Sequence, residues 1–365
     1  MSTIKQKHKE EVKIRLLKLP YYVDLYFQYL ENEKESSPST LRGYAIDYEL
    51  FFNWLIEQSL TTAKTPVDVP LSDLDNLHRS NIQGFISHLK RYGKHKKSLD
   101  EQSQSAINRK LSSLKSLFNW LYKEDDPEDR NNTLLTYNVM GKIEITSKRA
   151  TPAAVRARMK PKSIGTNDIN DFIDFVYTGY RAVCTHKLQI QNHELNRERD
   201  AAMIALALGS GIRLSEIINL DIDQIDEKDR QLLINRKGNK EDAPFFSPEA
   251  LYWIKRYLEI RESRYKPEKN DRALFLAKVT GQSNGKRIHW RTFQESVKKY
   301  GAAFGKPGLT VHGLRHSFAS KFIEDPNSTL PSLQTQLGHS SITTTQTYTH
   351  TSEEQQRASV DRVTR

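Results

Sequence analysis

The fold class of this chain is indicated first by residues 107–121, which read INRKLSSLKSLFNWL. Their apolar members recur at intervals of four, three, four and three residues and therefore share one face of an α-helix. Those members are Ile107, Leu111, Leu114, Phe118 and Leu121. The opposite face carries cations and short hydroxyl side chains: Arg109, Lys110, Ser112, Ser113, Lys115 and Ser116. Such a face can approach DNA phosphates and base edges, although an ordinary solvated helix face would look the same.

The same helical periodicity extends through the first 124 residues. Ser37 followed by Pro38 predicts a helix start, because the hydroxyl can cap free amide groups and the proline lacks an N–H there. Apolar residues then follow at spacings of three and four from Leu41 to Leu55. We therefore predict that residues 1–124 form an all-helical, DNA-binding domain.

The periodicity is lost between residues 125 and 165. The segment SKRATPAAVRARMKPKS, at 147–163, is rich in basic residues and contains two prolines and no acidic residue. This composition is typical of an extended connector, and its charge would suit a path along a phosphate backbone. We predict a basic connector over 125–165, with Arg156, Arg158 and Lys160 as candidate DNA contacts.

Residues 166–365 are predicted to form a second, mostly helical domain with a small β-sheet. The strand-like segments 231–235 and 241–246 flank RKGNK, whose Gly-Asn pair favours a tight hairpin. Helices are predicted over 167–177, 200–208, 248–264, 291–304 and 312–324. The predicted fold class is thus mainly α, in two domains.

Composition and charge exclude several classes of protein. The chain has 365 residues, a net charge of +11 and 37% hydrophobic residues, which suffices for a core. Its longest charge-free apolar run is far too short to span a membrane, and no secretory signal is visible, so we expect a cytoplasmic protein without membrane insertion. The single cysteine, Cys184, excludes an internal disulfide and multi-cysteine metal clusters. No phosphate-binding loop or dinucleotide fingerprint is present, and no cofactor is expected.

Several polar residues could carry chemistry, although each alone is a weak signal. His312 and Arg315 are three residues apart near a predicted helix start, a place that attracts an anion. His312 and His316 have the spacing of a zinc-binding helix but lack its glutamate, so a metal site is disfavoured. Glu216 could orient Arg213 by an ion pair.

The order and spacing of six residues resemble the tyrosine recombinase, or phage integrase, family. They are Arg213 in GSGIRLSE, Lys237 in RKGNK, His312 and Arg315 in HGLRHSFAS, His339 in LGHSS, and Tyr348 in TTTQTYTH. The resemblance spans nearly the whole chain and is greatest to the Xer group, in particular to its type that acts as a single recombinase. It departs from the family at Asp242, where many relatives carry an arginine, which predicts one phosphate contact fewer.

The resemblance implies a two-domain DNA clamp, with a SAM-like core-binding domain and a catalytic domain. It implies cleavage of double-stranded DNA through a 3′-phosphotyrosyl bond to Tyr348, with the other five residues completing the catalytic set. It further implies a homotetramer on DNA, passage through a Holliday junction, a dif-like site on the nucleoid and an FtsK-type translocase partner. Chromosome-dimer resolution is the expected role. Integration of a mobile element, plasmid resolution, topoisomerase-like relaxation and non-catalytic DNA binding remain alternatives.

Overall fold

The computed structural model describes six stretches of the chain: residues 4–92, 103–126, 131–145, 152–236, 240–277 and 285–338. It gives only the backbone at Ile4, Lys5, Tyr92, Pro152, Ala153 and Arg156. The chain divides into two compact units, Met1–Arg149 and Ala150–Arg365. Within the described residues, no helix combines the length and apolar character needed to cross a membrane.

The regular elements in the described part of the first unit are helices, apart from an isolated β-bridge between Asp125 and Thr133. Its α-helices are α1 (Ile4–Leu16), α2 (Tyr21–Asn32), α3 (Pro38–Glu57), α4 (Leu71–Asp75), α5 (Arg79–Tyr92) and α6 (Gln104–Leu121), with 3₁₀ turns at Pro66–Asp68 and Val139–Lys142. The predicted cap at α3 is confirmed, because Ser37 Oγ accepts a hydrogen bond from the Thr40 amide at 3.2 Å. The predicted apolar face of α6 is also confirmed, because all five of its residues are buried.

Aromatic side chains from α3, α5 and α6 meet in the core of this unit. The ring of Phe51 lies 5.2 Å from that of Phe85 and 6.1 Å from that of Phe118, centroid to centroid, in edge-to-face contacts. Such contacts add to the stabilisation that burial of the rings already provides.

The second unit contains the remaining helices and short strands. Its α-helices are α7 (Pro152–Met159), α8 (Ile169–Tyr177), α9 (Lys187–Ser210), α10 (Leu214–Asn219), α11 (Pro248–Tyr265), α12 (Trp290–Ala303), α13 (Val311–Glu324) and α14 (Leu330–Leu337). Its 3₁₀ turns are Lys160–Lys162, Gly179–Val183 and Ile222–Gln224, and its strands are β1 (Ile225–Asp226), β2 (Gln231–Leu232), β3 (Ile234–Arg236) and β4 (Lys240–Asp242). Helix α9 lies at the centre and contacts α8, α11 and α13. The C-terminal half of α9 is therefore almost wholly buried.

The strands form two antiparallel pairs, β1 with β2 and β3 with β4. In the second pair Ile234 lies opposite Asp242, and Arg236 lies opposite Lys240. The predicted hairpin is thus confirmed in its pairing, while its tip, residues 237–239, lies outside the described residues. The predicted strand to Phe246 is too long: β4 ends at Asp242, just before Pro244, which has no N–H to donate to a ladder.

The segment predicted as a connector is mostly packed. Leu135 and Met140 are buried in the core of the first unit, and Ile164 is buried in the core of the second. Residues 152–159 form α7, so the segment is helical there and not extended. The division between the units, after Arg149, falls inside the predicted connector.

Candidate active site and nucleic-acid interface

The C-terminal end of α14 is the point on which three arginine side chains converge, and two of them, Arg213 and Arg315, are candidate catalytic residues. This helix is capped at its C-terminus by Gly338, which has a left-handed conformation with a φ of 61°. The last carbonyl groups of an α-helix have no partners within the helix and carry its partial negative charge. Three arginines from different segments of the second unit donate hydrogen bonds to these carbonyls.

Arg213 reaches the helix end from the N-terminus of α10. Its Nη2 donates to the Gly338 carbonyl at 2.9 Å, and its Nη1 donates to Glu216 Oε1 at 2.8 Å. The second oxygen of Glu216 accepts from the Arg213 backbone amide at 2.7 Å. The predicted ion pair is therefore confirmed, and it leaves the Arg213 side chain 40% exposed and able to meet a ligand.

Arg315 reaches the same place from α13, and it is almost completely buried. Its Nη1 donates to the Gly211 carbonyl at 2.7 Å and its Nη2 to the Leu337 carbonyl at 2.9 Å. Gly211 has a φ of 66°, and a Cβ at this position would lie 2.3 Å from a ring carbon of Phe318. Arg213 and Arg315 thus bond to successive carbonyls, so the fold brings these two predicted residues together.

Arg236, the third arginine, was not singled out by the sequence. Its Nη2 donates to the Gln336 carbonyl at 2.8 Å, its Nη1 donates to the Leu337 carbonyl, and its Nε lies 2.5 Å from Asp242 Oδ2. The pKa of Arg236 is lowered, because the effect of burial exceeds the opposite effect of the charges of Glu216 and Asp242. One signal in the sequence could have revealed this arginine. Asp242 is an acidic residue at a position where many relatives carry an arginine, and an acidic residue there suggests a basic partner nearby.

His312 lies in the first turn of α13, which Thr310 caps by accepting a hydrogen bond from the Gly313 amide at 3.0 Å. The residue is solvent-accessible. Partial burial of its ring, and then the positive charge of Arg315, lower the pKa of His312. Its imidazole is therefore neutral at pH 7 and able to accept a proton.

The neighbouring His316 is more enclosed, with its Nδ1 3.4 Å from the Ser320 hydroxyl. Burial, followed by the charge of His312, lowers the pKa of His316. Across the described ranges, no group of three or more His, Cys, Asp and Glu side chains is arranged to hold a metal ion.

The other three predicted catalytic residues, Lys237, His339 and Tyr348, lie outside the described residues. Two of them adjoin the arginine cluster in sequence, because Lys237 follows Arg236 and His339 follows Gly338. The described part of the site is thus a set of guanidinium groups held at fixed places beside a neutral imidazole. Such groups can bind a phosphate through paired hydrogen bonds.

Comparison with known proteins identifies the family. The Phage integrase family profile matches residues 185–355, and the profile of the phage integrase N-terminal SAM-like domain matches residues 23–125. Tyrosine recombinase XerS of Streptococcus sanguinis (strain SK36) is 33% identical over 350 residues, which is 94% of this chain and 96% of that relative. The chain belongs to the phage integrase family of tyrosine recombinases. It is a site-specific DNA recombinase.

Further relatives agree with this assignment. XerS of Lactococcus lactis subsp. cremoris (strain MG1363) is 34% identical over 356 residues, covering 94% of this recombinase and 95% of that relative. Among solved structures, the XerH recombinase bound to palindromic difH substrate has a TM-score of 0.65 at 17% identity, covering 99% of this chain and 90% of that one. A lambda integrase dimer bound to a COC′ core site has a TM-score of 0.55 at 14% identity, covering 91% and 95%. The fold predicted from the sequence is therefore confirmed.

The residues of α6 that were predicted to contact DNA have different environments in this recombinase. Ser113 is fully buried, with its hydroxyl 3.0 Å from the Asp47 carboxylate and 2.8 Å from the Lys110 carbonyl. The prediction for Ser113 is wrong, because Asp47 is itself buried and needs this hydrogen bond. Ser112, one residue earlier, is exposed.

The cations of α6 are partly used inside the first unit. Arg109 donates to both oxygens of Asp47, at 2.7 and 2.6 Å, while half of its side chain stays exposed. Lys115 Nζ donates to the Ile143 carbonyl at 3.1 Å, and burial lowers the pKa of Lys110. Arg109 and Lys115 therefore support the fold of the first unit as well as the charge of its surface.

The basic residues of the predicted connector are accessible where they are described. Arg158, in α7, and Lys160, in the turn that follows, are both exposed. The side chain of Arg156 lies outside the described residues.

Proposed function

We propose that this recombinase cuts and rejoins double-stranded DNA at a specific site with the six residues Arg213, Lys237, His312, Arg315, His339 and Tyr348. The observation that carries the proposal is the convergence of Arg213 and Arg315 on successive carbonyls at the end of α14. Two guanidinium groups fixed this close together suit one phosphodiester group.

The arginines neutralise the charge that grows on the non-bridging oxygens as the phosphorus becomes pentavalent. A guanidinium group stays protonated at any working pH and donates paired hydrogen bonds to phosphate oxygens. His339 is proposed to donate one more. Loss of one such donor is expected to slow the reaction by about 10²–10³.

The nucleophile in this proposal is the hydroxyl oxygen of Tyr348. It attacks the phosphorus, and the bond from phosphorus to the 5′ oxygen breaks, which leaves a 3′-phosphotyrosyl bond. His312 takes the proton from the tyrosine, in keeping with its lowered pKa. Lys237 gives a proton to the leaving 5′ oxygen. The covalent bond retains the energy needed for rejoining, and attack by a 5′-hydroxyl of another duplex exchanges strands.

The proposed physiological role is resolution of chromosome dimers at a dif-like site during cell division. The names of the relatives support it, since they are XerS recombinases, and a XerH structure contains difH DNA. The proposal includes four protomers acting on two duplexes through a Holliday junction, nucleoid association, and control by an FtsK-type translocase. Integration of a mobile element would use the same chemistry.

A suicide substrate tests the chemistry. Full-length protein selects duplexes from a random-sequence pool, and the selected duplex is nicked a few nucleotides 3′ of the cleaved phosphate. The short fragment with the 5′-hydroxyl then diffuses away, and the covalent adduct accumulates. We expect a protein–DNA adduct that withstands denaturing electrophoresis with the wild type and none with Tyr348→Phe.

The absence of a wild-type adduct, or an undiminished adduct with Tyr348→Phe, would refute this chemistry. The selected sequence also tests the role. A match to one chromosomal position outside any mobile element supports dimer resolution, whereas a match to the ends of an inserted element supports integration.

A further inference from the structure

We propose that Arg236, together with Asp242, is a positioning unit that holds the end of α14 against the β3–β4 hairpin and thereby fixes the two phosphate-binding arginines. Arg236 does not touch the reacting phosphate in this proposal. It acts through the carbonyl groups to which Arg213 and Arg315 are bonded. The inference rests on the proposed function, because it assigns these two arginines to the phosphate.

The contacts of Arg236 span two structural elements. From β3, its guanidinium group donates to the Gln336 and Leu337 carbonyls of α14. The Leu337 carbonyl also accepts from Arg315, so one oxygen joins the positioning arginine to a phosphate-binding one. The next carbonyl, of Gly338, accepts from Arg213.

Asp242 fixes the orientation of this guanidinium group. One of its oxygens lies 2.5 Å from Arg236 Nε, and the other accepts from the Ala243 amide at 2.8 Å. The carboxylate is therefore held at both ends, and its ion pair restrains a guanidinium group that also donates hydrogen bonds to α14. The Arg236 side chain is only 7% exposed, which leaves it in a single environment. The acidic residue that departs from the family pattern thus has a structural role in this chain.

A neutral contact beside the arginine joins the same two elements. The Gln336 side chain accepts from the Phe245 amide at 3.1 Å and donates to the Phe245 and Ser210 carbonyls at 2.7 and 2.8 Å. The hairpin exit and the end of α14 are thus tied at two points. A displacement of the residues that follow the hairpin would therefore displace the end of α14 as well.

Gly338 shows how closely Arg236 lies over the helix end. A Cβ at Gly338 would be 1.8 Å from Arg236 Nη1 and 2.3 Å from its Cζ. A side chain at this position would have to displace the guanidinium group, which occupies the space that a Cβ would need. The position of Arg236 is therefore set on one side by Asp242 and on the other by the helix backbone.

Cleavage and binding respond differently if Arg236 is a positioning residue. We expect Arg236→Ala to slow single-turnover cleavage of the nicked, selected duplex by about tenfold to a hundredfold, because small displacements of groups that bind the reacting atoms have effects of this size. The dissociation constant for the same duplex should change by less than about threefold. Arg236→Lys should give an intermediate rate, because an ammonium group keeps the charge but cannot form the same planar contacts.

A double-mutant cycle tests whether the two residues act as one unit. We expect Asp242→Asn to slow cleavage less than Arg236→Ala does, and the double variant to be no slower than Arg236→Ala alone. Additive effects would overturn the proposal. Equal losses of binding and cleavage in Arg236→Ala would also overturn it, since they would indicate a general structural or DNA-contact role.

Lys255→Ala is the matched control. It breaks an exposed ion pair of the same unit, in which Lys255 Nζ lies 3.0 Å from Glu227, and should leave rate and affinity unchanged. If Arg236→Ala does not fold, Arg236→Lys and Asp242→Asn carry the test. Failure of wild-type cleavage would reject the proposed function, whereas normal cleavage by all the Arg236 and Asp242 variants would reject this inference alone.

Discussion

Arg213 and Arg315 illustrate how one residue type serves two purposes at a single site. Arg315 is almost fully buried and gives hydrogen bonds to carbonyls of two segments, so it supports the fold before any ligand arrives. Arg213 is partly exposed and is aligned by Glu216. A preorganised pair of this kind needs little rearrangement to receive charge, which is how fixed donors lower a barrier.

The sequence singled out Arg213 and Arg315 by their motif. It marked Asp242 as unusual but not its partner Arg236, and the periodicity of α6 assigned Ser113 wrongly to the DNA-facing surface. The reason is the same in both cases. Spacing along a helix or strand shows which face a residue occupies but not what lies opposite. Ser113 faces the buried carboxylate of Asp47, and Arg236 faces the end of α14, which is 100 residues away in sequence.

The protonation of His312 offers a prediction at this scale. Partial burial and the charge of Arg315 lower the pKa of His312, so its imidazole in the folded protein should become protonated at a pH below the ordinary pKa of 6.5. The unfolded chain takes up that proton first as the pH falls, so the contribution of His312 to stability is present above pH 6.5 and is lost as the pH falls through the folded pKa. NMR titration of histidine-labelled protein, with His312→Gln for assignment, should give a midpoint below 6.5 in the folded protein.

The same titration in urea provides the reference, because the unfolded chain lacks both causes of the shift. A folded midpoint at or above the unfolded one would contradict the environment described for this imidazole.

At the scale of elements, apolar periodicity predicted the helices that have one buried face, such as α6 and α8. It missed the first half of α9, which begins at Lys187 and not at Asp200. That half is polar, yet several of its side chains are buried and paired within the unit: His193 Nε2 lies 2.8 Å from the Val176 carbonyl oxygen, and Glu198 forms an ion pair with Arg264. A buried polar network has no period in the sequence, so only the fold reveals it.

The start of α13 gives a prediction for an element. Its first turn packs directly on the backbone of residues 162–163, and a Cβ at Gly313 would lie 1.6 Å from the Lys162 carbonyl oxygen. Ser317 fixes the same contact, because its hydroxyl accepts from the Ile164 amide at 2.9 Å. We expect Gly313→Ala to destabilise the second unit by about 1–3 kcal/mol, because backbone atoms cannot move aside as side chains can.

Gly43→Ala is the control for Gly313→Ala in thermal unfolding of the full chain. Gly43 also lies inside a helix, but its added Cβ would meet only ordinary contact, 3.5 Å from Arg109 Nη1. It should raise stability by about 0.5–1 kcal/mol, the usual gain in a helix interior. Equal effects of the two substitutions would show that α13 does not rest on the 162–164 backbone.

At the scale of the whole molecule, the two units have separate hydrophobic cores, and the predicted connector contributes to both. The sequence predicted two domains joined by a connector over residues 125–165, because the composition changes there. It did not predict that apolar residues within the polar segment are buried in the cores, Leu135 in that of the first unit and Ile164 in that of the second. The positive charges of the chain also have two roles, since Arg199, Arg261 and Arg315 are buried and form hydrogen bonds within the fold.

The exposed cations of α7 and the turn after it should therefore hold DNA by charge alone. We expect replacement of Arg156, Arg158 and Lys160 by alanine to reduce the slope of log affinity against log salt by about 0.9 for each phosphate that the variant no longer neutralises. The measurement is a titration of the selected duplex at several salt concentrations, with Lys255→Ala as the control for removal of one paired surface cation. An unchanged slope in the triple variant would show that this segment does not meet the phosphates, because counterion release depends on the number of neutralised phosphates and on nothing else in the site.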